Sequence, residues 1–300
     1  MAETVEIKVF TSRFIAYWDK FINDNRFQGV FNSNPEIKNI HFNFEFCHFM
    51  EPFHIVSMAC LIEEYFLTGI NISIINVNNL ELKRYLENVN FLNYWNIRPK
   101  EYIPSERKTA LALWKISPEM IDGYCRQAKE YFERNFIENK DLMPLSTSLS
   151  ELFMNIFDHS NSSVSGFCLT QFYPNLGKIK FSVCDFGIGI PCSINTFLTE
   201  KGEKTLSDTE CLLKAFEFKF TTQSTPRNRG FGLDTIKTIV KANKGSLSVV
   251  SNKANFKIEA ADIQTITQKE TFNGTHFEII LSVENLTEKT DETEDFDFDF

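Results

Sequence analysis

The sequence predicts an α/β (α+β) protein in two parts: an N-terminal sheet with helices, then a glycine-rich second half. Three observations predict it. Strand-like alternation and helix-like spacing take turns through the first hundred residues, which implies a sheet covered by helices. A length of 300 residues, 43% apolar and 24% charged, suits two domains of ordinary size, each with its own core. Nine of the 12 glycines lie at or beyond Gly166, so the second half is where the backbone needs unusual conformations.

The elements follow in order. Residues 5–10 alternate and read as a strand. Across 12–25, Phe14, Ile15, Trp18, Phe21 and Ile22 are spaced for one helical face, with Ser12 as N-cap. Residues 39–47 alternate again, placing Ile40, Phe42, Phe44 and Phe46 on one side. Residues 53–67 read as a buried helix stopped by Gly69. An apolar strand follows at 71–77, then a helix at 80–91 with Leu82, Tyr85, Leu86 and Val89 on one face.

This order resembles a STAS domain, the fold of anti-sigma-factor antagonists, over roughly residues 3–98. The match is a strand ending near Cys47, a helix at 52–67, a strand at 70–77 and a short helix ending at Asn90 and Phe91. In that family the first of these strands is followed by Asp-Ser-Ser/Thr-Gly, whose hydroxyl accepts phosphate. Here the turn at 48–53 reads HFMEPF and has no hydroxyl. The resemblance therefore implies a regulatory domain lacking the phosphoacceptor, with Glu51 a candidate fixed negative charge in its place. The same turn spaces His48, Glu51 and His54 as H-x-x-E-x-x-H, a pattern with zinc-ligand chemistry. Pro52 lies inside the spacing and breaks a regular helix, so turn and helix-start packing is the expected role.

Prolines 99, 104 and 118 and the charged run Glu106, Arg107 and Lys108 mark a connector at 99–117. Ser117, Pro118 and Glu119 then supply a hydroxyl cap, a first-turn proline and an acid, opening a helix to about residue 139.

Four segments carry the chemistry of the second half. On a helix, Glu151, Asn155 and His159 recur every four residues as one polar stripe, while Leu152, Phe153, Ile156 and Phe157 fill the apolar side. Taken alone, that stripe also reads as a solvated face. The apolar strand at 179–184 runs into Asp-x-Gly-x-Gly at Asp185, Gly187 and Gly189. Glycines there allow close backbone approach to a ligand, and a buried acid at a strand end can accept a hydrogen bond from an exocyclic amine. The third segment, Gly230 and Gly232 opening a helix, offers backbone N–H groups and a positive helix end to phosphate, with Arg227 and Arg229 adding charge. The polar run 221–229 before it reads as a lid. The fourth is Asn273, Gly274 and Thr275 leading into a strand at 276–281.

Together these segments resemble the GHKL superfamily, the ATP-binding domains of histidine kinases, anti-sigma serine kinases, type II topoisomerases and mismatch-repair ATPases. The likeness covers about residues 117–283 and gives a domain at 118–285; it implies an α/β sandwich there, with a mixed sheet covered by helices on one face. It implies ATP and Mg²⁺ as cofactors. Asn155 would hold the Mg²⁺ and Glu151 would be the general base. His159 would contact phosphate, with Asp158 beside it. Asp185 would bind the adenine amine, and Gly187, Gly189 and Ile190 would shape the pocket. Arg229, Gly230, Phe231, Gly232 and Leu233 would support the phosphate-covering lid, and Thr275 would back up the adenine contact. Ile156 stands where the family usually has alanine, and the third segment has fewer glycines than many kinases.

Composition narrows the function. The net charge is −9, of which residues 287–300 hold −6, so the body lacks the basic excess of a nucleic-acid-binding protein. No apolar stretch reaches membrane-spanning length and no leader is read at the N-terminus. Seven cysteines without C-x-x-C spacing read as reduced thiols in a cytoplasmic protein. Residues 286–300 read as an acidic disordered tail, solvated or docking a partner. The helix at 118–139 contains no histidine, which argues against autophosphorylation there. The expectation is a cytoplasmic ATPase or protein kinase acting on a regulatory or substrate protein, with homodimerisation open, or an ATP-dependent binding switch without turnover.

Overall fold

The structure, a computed structural model, describes residues 3–97, 109–159, 162, 164, 166–217, 232–260 and 262–289. The N-terminal part runs β1 (Thr4–Lys8), α1 (Ile15–Asp24), α2 (Phe27–Ser33), β2 (Asn39–Asn43), α3 (Pro52–Leu67), β3 (Asn71–Ile75), α4 (Leu80–Asn88) and α5 (Tyr94–Ile97). Its three strands form a parallel sheet in the order β1-β2-β3. The remainder runs β4 (Trp114–Lys115), α6 (Ile121–Asn135), α7 (Met143–His159), β5 (Phe167–Tyr173) and β6 (Lys178–Asp185). Then come α8 (Ile190–Glu200), α9 (Asp208–Ala215), α10 (Gly232–Ala242), β7 (Ser246–Glu259) and β8 (Asp262–Ser282). Its sheet has the order β4-β5-β6-β8-β7.

The expected α/β class is present, with two differences in detail. Every pairing in the five-stranded sheet is antiparallel rather than mixed, since each strand in the order returns beside its neighbour. Helices also cover both faces, not one. On the first face, α6, α7 and the α8–α10 group enclose Phe181, Val183, Leu247, Val249, Phe277 and Ile279. On the second, α3 lies across β5 and β6, and α1 against β8.

The composition of α3 explains the second cover. Thirteen of its 16 residues are buried, which a helix achieves only between two layers. One side meets Ile40 and Phe42 of β2 and the other meets Phe167, Leu169 and Cys184, all within a single apolar cluster. Cys60 Sγ donates to the Cys184 carbonyl at 3.2 Å across that contact. The two parts of the chain thus share a core.

Other expectations shift at element ends. The N-cap place of α1 falls to Phe14, which is exposed; the Ser12 hydroxyl instead accepts from the Phe14 N–H at 3.1 Å, a local turn. The helix expected at 118–139 is a 3-10 turn at 118–120 followed by α6. Residues 110–116, expected in the connector, already belong to the sheet: Trp114 pairs with Cys168, and Ala110 bridges Gln171. The tail expected from 286 begins too early. Leu286 is buried, and 287–289 lie along 139–141 through Asp141 N to Thr287 O and Lys289 N to Asn139 O. Residues 99–108 and 290–300 lie outside the described residues.

The H-x-x-E-x-x-H turn is structural. His54 Nδ1 accepts from the Glu51 N–H at 3.0 Å and Nε2 faces the Ser12 carbonyl at 2.9 Å, so both ring nitrogens are used at the start of α3. Burial lowers the His54 pKa to about 4, keeping the ring neutral. The Glu51 carboxylate pairs with Lys180 of β6 at 2.5 Å. Among the described residues no His/Cys/Asp/Glu group is arranged to hold a metal ion.

Candidate nucleotide site

Side chains on a strand alternate between faces, so the apolar positions of each strand place the polar ones. On β6, Ile179, Phe181 and Val183 face the first helical layer, and Asp185 continues that row at the strand end. On β8, Phe277, Ile279 and Leu281 define the same face, and Thr275 lies on it. On β7, Leu247 and Val249 are followed by Ser251. Register places Asp185 opposite Thr275, and Thr275 opposite Ser251. Three polar side chains from three adjacent strands thus form one row across the end of the sheet.

The row is dry. Asp185 is 3% exposed, and its Oδ1 accepts the Gly187 N–H at 2.7 Å. Burial raises its pKa to about 7, opposed by the Gly187 hydrogen bond and by the positive Arg26. Ser251 Oγ accepts the Ile190 N–H at 2.9 Å, donates to the Gly274 carbonyl at 3.0 Å and lies 3.0 Å from Thr275 Oγ1. One hydroxyl therefore ties the loop after Asp185 to the stretch of β8 just before Thr275.

Two glycines are required here. Gly189 has φ +83°, and a Cβ would run into the side chains of Ser251 and Asn252. Gly274 has φ +143°, and a Cβ would strike the Asp185 carbonyl. Gly189 also ends the loop at the N-terminus of α8, where Pro191 sits in the first turn. Ile190 contributes its N–H to Ser251 and packs against the core of the first face.

Helix α7 brings the second set. Leu145, Leu149, Leu152, Phe153 and Ile156 are buried, which turns Glu151 and Asn155 toward the half-buried side. Asn155 Nδ2 donates to the Glu151 carbonyl at 2.8 Å, so the amide nitrogen is committed to the helix and the oxygen remains for a hard cation. Burial raises the Glu151 pKa, which favours its acting as a proton acceptor. The helix and the strand row meet at Gly166: Ile156 Cδ1 and Asp185 Cβ lie 3.4 and 3.5 Å from where a Cβ on Gly166 would stand. The isoleucine beside Asn155 and the Asp185 side chain thus both border Gly166. Asp158 and His159 fall in the last turn of α7, and their side chains lie outside the described residues.

Helix α10 begins at Gly232, packs against α7 and buries Leu233. The lid expected at 221–229, with Arg229, Gly230 and Phe231, lies outside the described residues. Ser251 and Asn252 were missed by the motifs. The signal for Ser251 was a serine at an inward position of an apolar strand face, after Leu247 and Val249. Asn252 Nδ2 reaches the Ile188 carbonyl at 3.3 Å, a contact that only the tertiary fold creates.

The fold and this row define an α/β sandwich with a polar corner between sheet end and helix. Residues 140–285 match the family described as histidine kinase-, DNA gyrase B- and HSP90-like ATPase. The matched span, just under half the chain, runs from the start of α7 to the end of β8. It supports ATP binding in a histidine-kinase-like ATPase domain. No curated protein matches the chain. Among the described residues no helix is long and apolar enough to cross a membrane.

Proposed function

We propose that the 118–285 part binds Mg-ATP at the corner between α7 and the Asp185–Thr275–Ser251 row, and transfers the γ-phosphoryl group to water or to a partner hydroxyl. The observation that carries the reading is that row, a buried acid and two hydroxyls fixed by register at the sheet end beside the α7 stripe. Asp185 accepts from the adenine amine, with Thr275 and Ser251 completing a polar edge. Asn155 is the residue that would hold Mg²⁺, which when bound neutralises phosphate charge. Glu151, one helical turn earlier, takes the proton of the attacking hydroxyl. Gly232 presents the N-terminus of α10 to phosphate. Asp158, His159, Arg229, Gly230 and Phe231 join the site by the family resemblance alone.

The reading extends to a cytoplasmic signalling protein whose STAS-like first 98 residues regulate the ATPase part. In support, Glu51, at the place of the antagonists' phosphoacceptor, pairs with Lys180 of the ATPase sheet. A second reading is a nucleotide-dependent binding switch without turnover. It is favoured by the packing of Phe186, inside Asp-x-Gly-x-Gly, within the apolar cluster of the N-terminal part.

Incubation with γ-labelled ATP and cell extract separates these. Label on a second protein means a kinase, and free phosphate alone means an ATPase. Bound ATP with neither means the switch. Glu151→Ala should abolish turnover while ATP still binds. Failure of the wild-type chain to bind ATP with Mg²⁺ would overturn all three.

A further inference from the structure

Arg26, at the N-cap of α2, touches both segments that frame Asp185. Its guanidinium stacks on the ring of Phe186, with the central carbon 3.7 Å from the ring centroid. Its Nη1 donates to the Asn273 carbonyl at 2.9 Å, next to Gly274. Phe186 belongs to the loop that leaves β6 and Asn273 to the irregular stretch of β8 just before Thr275, so one side chain bridges the two. Glu64 of α3 holds the guanidinium in a forked pair, Nε and Nη2 reaching Oε1 at 2.9 and 2.7 Å, and the second oxygen accepts the Phe27 N–H at 2.9 Å. Nearby, Asn23 Nδ2 donates to the Thr271 carbonyl at 2.5 Å, a second N-terminal tie to β8. Arg26 and Glu64 are each less than one-fifth exposed, a setting in which a fork-shaped, planar cation is worth more than at an open surface.

We infer that Arg26 is a positioning residue: it clamps the Asp185–Gly189 loop and the Asn273–Thr275 stretch of β8 from the N-terminal side, so that nucleotide affinity depends on the docked N-terminal part. The inference rests on the proposed adenine contact at Asp185. It has a thermodynamic corollary, because a contact that favours the binding-competent loops must itself be strengthened when nucleotide binds. The clamp gives the N-terminal part a route to the site that needs no contact with ATP. The cation that acts on Asp185 is Arg26; Asp185 itself acts on Cys184 beside it, as do Cys60 on α3 and Asp19 on α1.

The test is Mg-ATP affinity of the full chain between pH 6 and 8.5 for wild type, Arg26→Ala, Arg26→Lys, Glu64→Gln and Asp185→Asn. Arg26→Ala should weaken binding about tenfold. It should also move the pH midpoint of affinity upward, because Asp185 loses the cation that favours its ionised form. Arg26→Lys should keep the midpoint yet lose part of the affinity, since an ammonium neither stacks nor forks. Should Arg26→Ala not fold, Glu64→Gln reports instead: it leaves both loops untouched, loosens the guanidinium, and should weaken binding in the same direction by a smaller factor. Wild-type affinity and an unmoved midpoint in Arg26→Ala, or unchanged affinity in Glu64→Gln where only that variant folds, overturn the inference. Loss of binding in Asp185→Asn beside either result shows that the adenine reading stands on its own. No binding by the wild type overturns both.

Discussion

The two faces of the five-stranded sheet are covered by different means. On the first, Phe181, Val183, Phe277 and Ile279 meet α6, α7 and α10 in an apolar core. On the second, the same strands present Lys180, Ser182, His276 and Glu278 to α1 and α3. Among the described residues, Ser182 Oγ and Ser248 Oγ are buried there without a hydrogen-bond partner, His276 Nδ1 stands 4.0 Å from Asp19 Oδ1, and Glu278 Oε2 stands 3.5 Å from Lys180 Nζ. Burial accordingly raises the pKa of both Asp19 and Glu278. The first face is packed by apolar contacts alone, and the second adds to the apolar cluster around α3 a set of specific ties: Glu51 to Lys180, Arg26 to Glu64 and Asn273, and Lys115 to Glu63 at 2.8 Å. The polar corner at Asp185 lies where the two covers meet, with Asp185 on one face and Phe186 on the other.

That contrast can be broken by substitution. Phe181→Ala on the first face should cost about 3–5 kcal/mol, read from urea denaturation, because it opens a cavity between sheet and helices. An effect below about 1 kcal/mol would remove the distinction between core and interface. Ser251→Ala should cost about 1–3 kcal/mol and lower ATP affinity, since the Ile190 N–H and Gly274 carbonyl lose their shared partner.

Stability against pH gives the next smaller effect. Asp185 rises from 3.8 to about 7 on folding, so the native state binds the extra proton and stability falls as pH rises through that window. His54 falls from 6.5 to about 4, so the unfolded state binds the extra proton and stability rises with pH between those values. The slopes oppose each other between pH 4 and 6.5, which keeps the wild type nearly flat there. Asp185→Asn should expose the rising limb and His54→Gln the falling one, measured by denaturation midpoints. Ser182→Ala should change stability least, by less than about 1 kcal/mol in either direction, because its hydroxyl has no partner to lose.

The sequence made the second half legible through rare residue types. An acid between an apolar strand and two glycines, and a polar stripe on an apolar helix, both reappear at the corner. The strand at 276–281 was visible because β8 alternates there. The first half was legible as elements but not as a cover. Helix α3, apolar on every side, implied burial, yet nothing local told which second layer would bury it. Arg26 and Phe186 meet across 160 positions of sequence, a contact without a local pattern. Strands β5 and β7 and helices α8 and α9 carry no motif, so only the folded sheet and its helical layer revealed them. The antiparallel order was hidden for the same reason, since pairing partners are set by register rather than by the composition of any one strand.

The most direct test of the account is calorimetric titration of the full chain with Mg-ATP, alongside Asn155→Ala and Asp185→Asn. The corner between α7 and the Asp185–Thr275–Ser251 row predicts saturable binding of one ATP per chain, abolished in Asn155→Ala and in Asp185→Asn. Undiminished binding in both variants, or none in the wild type, would contradict it.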